Sequence, residues 1–184
     1  MYNRNQFLAV VKNRLEPNIF THSLAVEACM GGLYDHFKDG TGKDDWLLAG
    51  LIHDIDYSGD FKPTHPHKTR EVLALDNITI NDTVMKIVQV HAPKLTGVEP
   101  KTKAEWSLFC CDSLTGLITA VSMVLPSKDI KDVKLSSVIK RFLKEPRFAA
   151  GTRRDEVILC EKPEGLNLPL EQFTSICLTS MQAL

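Results

Sequence analysis

The side chains with the clearest capacity for chemistry are the adjacent His53 and Asp54, which close the apolar run Leu47-Leu48-Ala49-Gly50-Leu51-Ile52. With six histidines and thirteen aspartates in 184 residues, such a dipeptide arises easily by chance, so its setting carries the argument. A buried helix that ends in an imidazole and a carboxylate must satisfy both, because an uncompensated buried carboxylate is costly. A bound cation is one of the few arrangements that does so. Helical periodicity turns other ligand-type residues inward. Val84, Ile87, Val88 and His91 stand at i, i+3, i+4 and i+7, so His91 extends an apolar stripe. Asp112 lies four residues after Leu108 and four before Gly116, in a stretch nearly free of charge between Glu105 and Lys128. It is expected to be buried against a counter-charge. His22 comes early in a further helix, three residues before Ala25 and four before Val26. Histidine and aspartate without cysteine suit a borderline or hard divalent ion (Fe, Mn, Co, Ni, Zn or Mg) and not a structural thiolate site. Such an ion acidifies bound water and neutralises a phosphoryl oxygen, and two ions would bridge nucleophile and ester.

These residues need a helical frame, and the chain supplies one. Glycine and proline cluster at Gly40 to Gly42, Gly59 to Pro66, Pro93 to Pro100 and Glu161 to Pro169; between them the apolar spacing is helical, with no competing strand pattern. The spacing predicts helices over 4–15 and from Asn18 to Phe37, the latter with Ala25, Cys29, Leu33 and Phe37 along one face. Asp44 and Asp45 read as the acidic start of a helix ending at Ile52, which places His53 and Asp54 at its end. A segment from Pro66 to Leu75 begins with proline in a first helical turn, and Asn81 or Asp82 caps a helix leading to His91. A long apolar helix is expected over 102–124, then shorter ones near 135–144, 153–160 and 169–183. Thr152 with Asp155 or Glu156 reads as a capping arrangement. The expected class is all-α, a compact helical bundle.

The order His22, His53-Asp54, Asp112 resembles the H…HD…D signature of the HD-domain superfamily, and Leu51-Ile52-His53-Asp54-Ile55-Asp56 is close to its HDIG-type form. The resemblance covers about residues 18–125. It implies a bundle in which these four residues hold a divalent metal, and an activity directed at phosphate mono- or diesters, often of nucleotides. His53 and Asp54 would then be catalytic, Asp54 or a histidine positioning or deprotonating the attacking water. Relatives with two metals add histidines between the HD pair and the last Asp, where this chain has His65, His67 and His91. The stretch from His65 to Leu73 resembles the family's HPEIGAEIL in register, which selects His65, with Thr69 and Arg70 in place of small residues. Asp54 would bridge two such ions. Asp56 stands where the HDIG form has glycine and is open to two readings, ordering a water or ligand, or an idle loop Asp. Asp112 to Ile118, Ser137-Val138 and Phe148 to Gly151 resemble a subgroup of small HD proteins, which extends the likeness over nearly all of 1–184 as one domain with a C-terminal extension over 126–184. Two other activities occur on this frame: a nucleotide-binding or signalling module without catalysis, and a di-iron oxygenase.

The substrate expected is a small phosphate compound, possibly a nucleotide. Lys68 and Arg70 follow His65 closely enough to meet its phosphate, and Arg147, Arg153 and Arg154 flank a glycine-containing turn that could fold over the site. Twenty-two basic and 23 acidic side chains give a net charge of -1, so no global field draws in nucleic acid or an anionic membrane. Polar residues interrupt every short apolar run near the start, which argues against a signal-peptide core, and a cytoplasmic location is expected. Five cysteines without CxxC spacing suggest buried thiols and no disulfide framework.

Overall fold

Ten α-helices and three short 3-10 turns account for the regular structure of residues 3–184, the part of the chain described by this computed structural model, and no strand occurs among them. The helices begin and end where local chemistry dictates. In α1 (Arg4–Arg14), the Asn3 side chain accepts from the Gln6 N–H at 3.4 Å. Pro17 occupies the first turn of α2 (Pro17–Phe37), where its missing N–H costs nothing, and Lys38 ends that helix in the left-handed conformation. Asp44 and Asp45 lie in the first turn of α3 (Lys43–Ile52), favourable at the positive end of the helix dipole. Thr102 and Glu105 form a reciprocal capping box that starts α7 (Lys103–Met123).

The remaining helices are α4 (Thr69–Ala74), α5 (Asp82–Gln89), α6 (Pro93–Thr96), α8 (Leu135–Lys144), α9 (Arg154–Val157) and α10 (Leu170–Gln182). Helix α2 packs on α3, α7 and α10, and α7 also meets α5, α8 and α9. Gly50 permits a close backbone approach: a Cβ there would lie 2.9 Å from the Cα of Glu27, so α3 can press on α2 only without a side chain at this point. A continuous cluster of buried apolar side chains runs from Phe7 in α1 to Met181 in α10, with Trp46, Leu51, Leu114 and Phe173 in its centre. Helix α7 is long and apolar enough to cross a membrane, with a mean hydropathy of 1.3, yet 78% of that stretch is buried inside the protein. It is the core helix of the bundle. All five cysteines are buried and unpaired, and burial pushes the Cys160 thiol up to about 12.

Three boundaries differ from the sequence reading. The segment expected to be helical from Pro66 starts at Thr69, because the Lys68 N–H is taken by the Asp56 carboxylate at 2.7 Å. Helix α5 stops at Gln89, and His91 sits in a tight turn beyond it, its N–H bonded to the Val88 carbonyl at 3.3 Å. The helix expected over 153–160 is a single α turn followed by a 3-10 turn over Ile158–Glu161. Thr152 does not cap it: Arg153 holds the N-cap position, and its guanidinium bonds Glu156.

Candidate metal centre

Five elements deliver the six proposed ligands to one place. His22 comes from the second turn of α2, His53 and Asp54 from the end of α3, His65 from the end of the 3-10 turn over Gly59–Thr64, His91 from the turn after α5, and Asp112 from the middle of α7. His53 and His91 are buried, while His22, Asp54 and His65 keep a partly exposed edge. The ligand atoms of His22, His53 and Asp54 lie within 4.8 Å of one another, and so do those of Asp54, His65 and His91. Either group could hold a metal ion, and Asp54 belongs to both.

The split of Asp54 is visible atom by atom. Its Oδ2 lies 3.4 Å from His53 Nε2 and 3.8 Å from His22 Nε2, whereas Oδ1 lies 3.4 Å from His65 Nε2 and 3.7 Å from His91 Nε2. Asp112 joins the first group, its Oδ1 at 3.0 Å from His22 Nε2, and turns Oδ2 to the Arg153 guanidinium at 2.7 Å. The counter-charge expected for a buried Asp112 is therefore Arg153.

Which nitrogen of each ring carries a hydrogen follows from its other partner. A carbonyl can only accept, so His53 Nδ1–H donates to the Gly50 carbonyl at 2.9 Å and His91 Nδ1–H to that of Val88 at 2.5 Å. His65 Nδ1–H donates to Asp56 Oδ1 at 2.7 Å. The Thr115 hydroxyl donates to the Asp112 carbonyl at 2.7 Å and lies 3.1 Å from His22 Nδ1, so it braces the other edge of the ring whose Nε2 meets Asp112. All four Nε2 atoms are aimed inward. His53 Nε2 lies 3.2 Å from His22 Nε2, and His65 Nε2 lies 3.0 Å from His91 Nε2. Lone pairs so close repel unless a proton or a metal stands between them, and imidazoles fixed through Nδ1 in this manner are the usual form of metal-binding histidine.

The electrostatics agree. Burial alone would discharge His53, but the Asp54 and Asp112 carboxylates outweigh it and raise its pKa to about 9. Burial and the neighbouring His53 charge push His91 down to about 4. Burial works to raise Asp54 and Asp112, yet His53 holds the first and His22 the second below the usual carboxylate range. One proton on His53 answers the demand that the donor set makes for positive charge, and divalent ions would answer it more fully.

Above the proposed ligands lies a cleft of about 350 Å³, walled by Ile19, Tyr57, Leu95 and Arg153 together with His22, Asp54, His65, His91 and Asp112. Arg153 is the basic residue the fold brings here. Lys68 Nζ instead pairs with Glu71 at 2.6 Å and Arg70 with Asp82 at 2.5 Å, and neither lines the cleft. His67 is exposed, in a separate hollow with Arg70. A larger hollow of about 540 Å³, between α3, α5 and the start of α7, contains none of the ligands, so volume alone does not mark the site. Thr115 escaped the sequence reading, although its place three residues after Asp112 on the same helix is a signal for it. Asp56 is fully buried and grips both His65 and the Lys68 N–H, so it is not an idle loop residue. Comparison with known protein families, with curated proteins and with solved structures returned no match.

Proposed function

We propose that this chain is an HD-type, metal-dependent phosphohydrolase that cleaves a phosphate ester or anhydride of a small molecule, possibly a nucleotide. The observation that carries the reading is the shared carboxylate: Asp54 presents one oxygen to His22 and His53 and the other to His65 and His91. Two positions that share a carboxylate and keep open faces toward a cleft suit a two-ion hydrolase better than a structural site, whose ligands close around one ion. Divalent ions held there would acidify a bound water and neutralise phosphoryl oxygens. The donor set fits Fe, Mn, Co, Ni, Zn or Mg, since it offers imidazole and carboxylate and no thiolate.

The side chains divide the remaining work. His22, His53 and Asp112 hold the first position, His65 and His91 the second, and Asp54 spans them. Asp56, with the Gly50 and Val88 carbonyls, keeps His65, His53 and His91 in the tautomer that presents Nε2, and Thr115 braces the His22 ring. Arg153, tied to Asp112 and Glu156, stands at the cleft wall where a guanidinium can pair with a phosphate. Hydrolysis forms one P–O bond from water and breaks the bond to the departing oxygen. The proton lost by the water balances the one taken up by that oxygen. Elemental analysis of protein purified without added metal, followed by assay against phosphate esters, tests the reading. Turnover should fall by at least about a hundredfold in Asp54→Ala, which removes ligands from both positions. Undiminished turnover in that variant would overturn the assignment.

A further inference from the structure

Beside the main cleft lies a second hollow of about 290 Å³ that shares His22 and Asp112 with it. Its other walls are Ser113 and Gly116 of α7 and the turn formed by Ala149, Ala150, Gly151 and Thr152, all small and uncharged. Gly116 stands out. It lies inside α7, where glycine weakens a helix relative to alanine, and a Cβ there would meet nothing within 4 Å. No packing contact explains it. Gly151 likewise faces open space. Ser113 is only 8% exposed, and its Oγ accepts from the Arg153 N–H at 3.4 Å, which leaves the hydroxyl hydrogen to give to an occupant.

We propose that this hollow receives the departing group of the substrate, and that the substrate is a phosphate monoester of an uncharged, hydroxyl-bearing alcohol of the sugar or nucleoside kind. The proposal rests on the phosphohydrolase reading of the adjoining ligands. Because His22 and Asp112 wall both spaces, a phosphate seated over the proposed ligands would have the α7 wall beside it for its ester group. The space accepts a sugar ring, and Ser113 and Thr152 supply hydroxyls to meet its own. Charge excludes a polyphosphate. Among the residues that line the two spaces, Arg153 is the one lysine or arginine, and it is already shared with Asp112 and Glu156. A second phosphate in the hollow would be desolvated without a cation.

Calorimetry on the metal-loaded protein tests this with two non-hydrolysable probes, methylphosphonate and a nucleoside 5′-methylenephosphonate, in which carbon replaces the scissile oxygen. The wild type should bind the nucleoside probe at least tenfold more tightly than methylphosphonate. Gly116→Leu fills the hollow and should abolish that preference while leaving methylphosphonate affinity and metal content within twofold; Gly151→Leu repeats the test from the opposite wall. Equal affinities in the wild type, or a preference that survives both substitutions, would overturn the proposal. If the preference behaves as expected but the matching phosphates are not turned over, the hydrolase reading fails and the hollow keeps its ligand.

Discussion

Each imidazole of the cluster has one nitrogen already engaged, and that engagement makes Asp56 more than a loop carboxylate. By holding His65 Nδ1–H and the Lys68 N–H together, it fixes both a candidate ligand and the start of α4. Asp56→Asn should weaken metal binding at the His65 and His91 position by about 10- to 100-fold and leave the other position nearly unchanged, as a metal titration would show. An equal loss at both would indicate general unfolding instead. The charge on His53 gives a second prediction. An ion needs the neutral ring and therefore competes with a proton held up to a pKa of about 9. Through His53 alone, affinity should fall by about tenfold for each pH unit below that value, with proton release measurable by calorimetry in buffers of different ionisation enthalpy. Stability of metal-stripped protein runs the opposite way. A pKa raised from 6.5 contributes stability that is complete below 6.5 and fades as pH climbs toward 9. The depressed carboxylates Asp54 and Asp112 contribute stability above the usual carboxylate range, lost as acid protonates them. Chelator-treated protein should therefore lose the His53 contribution between pH 6.5 and about 9, and a thermal-melt series across that range checks it.

At the level of helices, the glycines of α3 and α7 call for opposite outcomes. Gly50 faces the backbone of α2, and a Cβ would stand 3.0 Å from the Glu27 nitrogen, a neighbour that cannot rotate away. Gly50→Ala should cost about 1–3 kcal/mol and shift His53, whose Nδ1 depends on the Gly50 carbonyl. Gly116→Ala meets open space inside a helix and should stabilise by about 0.5–1 kcal/mol. Denaturant unfolding of the two variants distinguishes them, and a shift of the same sign in both would contradict the packing described. The helices that carry ligands were legible because periodicity and capping act locally: Thr102 with Glu105, Asn81 before Val84, and Pro17 at a helix start all announce themselves. The later start of α4 was not, since the Lys68 N–H there is taken by Asp56, twelve residues earlier in the chain.

Across the whole molecule, the candidate centre gathers ligands as far apart in sequence as His22 and Asp112, 90 residues, which only the native bundle brings together. Ions bound there would act as a long-range clasp. A ligand present at a hundred times its dissociation constant stabilises the native state by about 2.7 kcal/mol, so manganese should raise the melting temperature by several degrees and chelator should reverse it. The all-α class and the identity of residues able to converge were readable from the chain, because inward histidines and aspartates on helices have few other places to go. The direction of the basic side chains was not, because Lys68 and Arg70 are near His65 in sequence but turned to Glu71 and Asp82, while Arg153 reaches Asp112 across 41 residues. Metal stoichiometry tests the shared-carboxylate centre most directly. Two divalent ions per chain are expected in the wild type, with both positions severely weakened in Asp54→Ala; a wild type that binds none, or a variant that keeps both at full affinity, would contradict it.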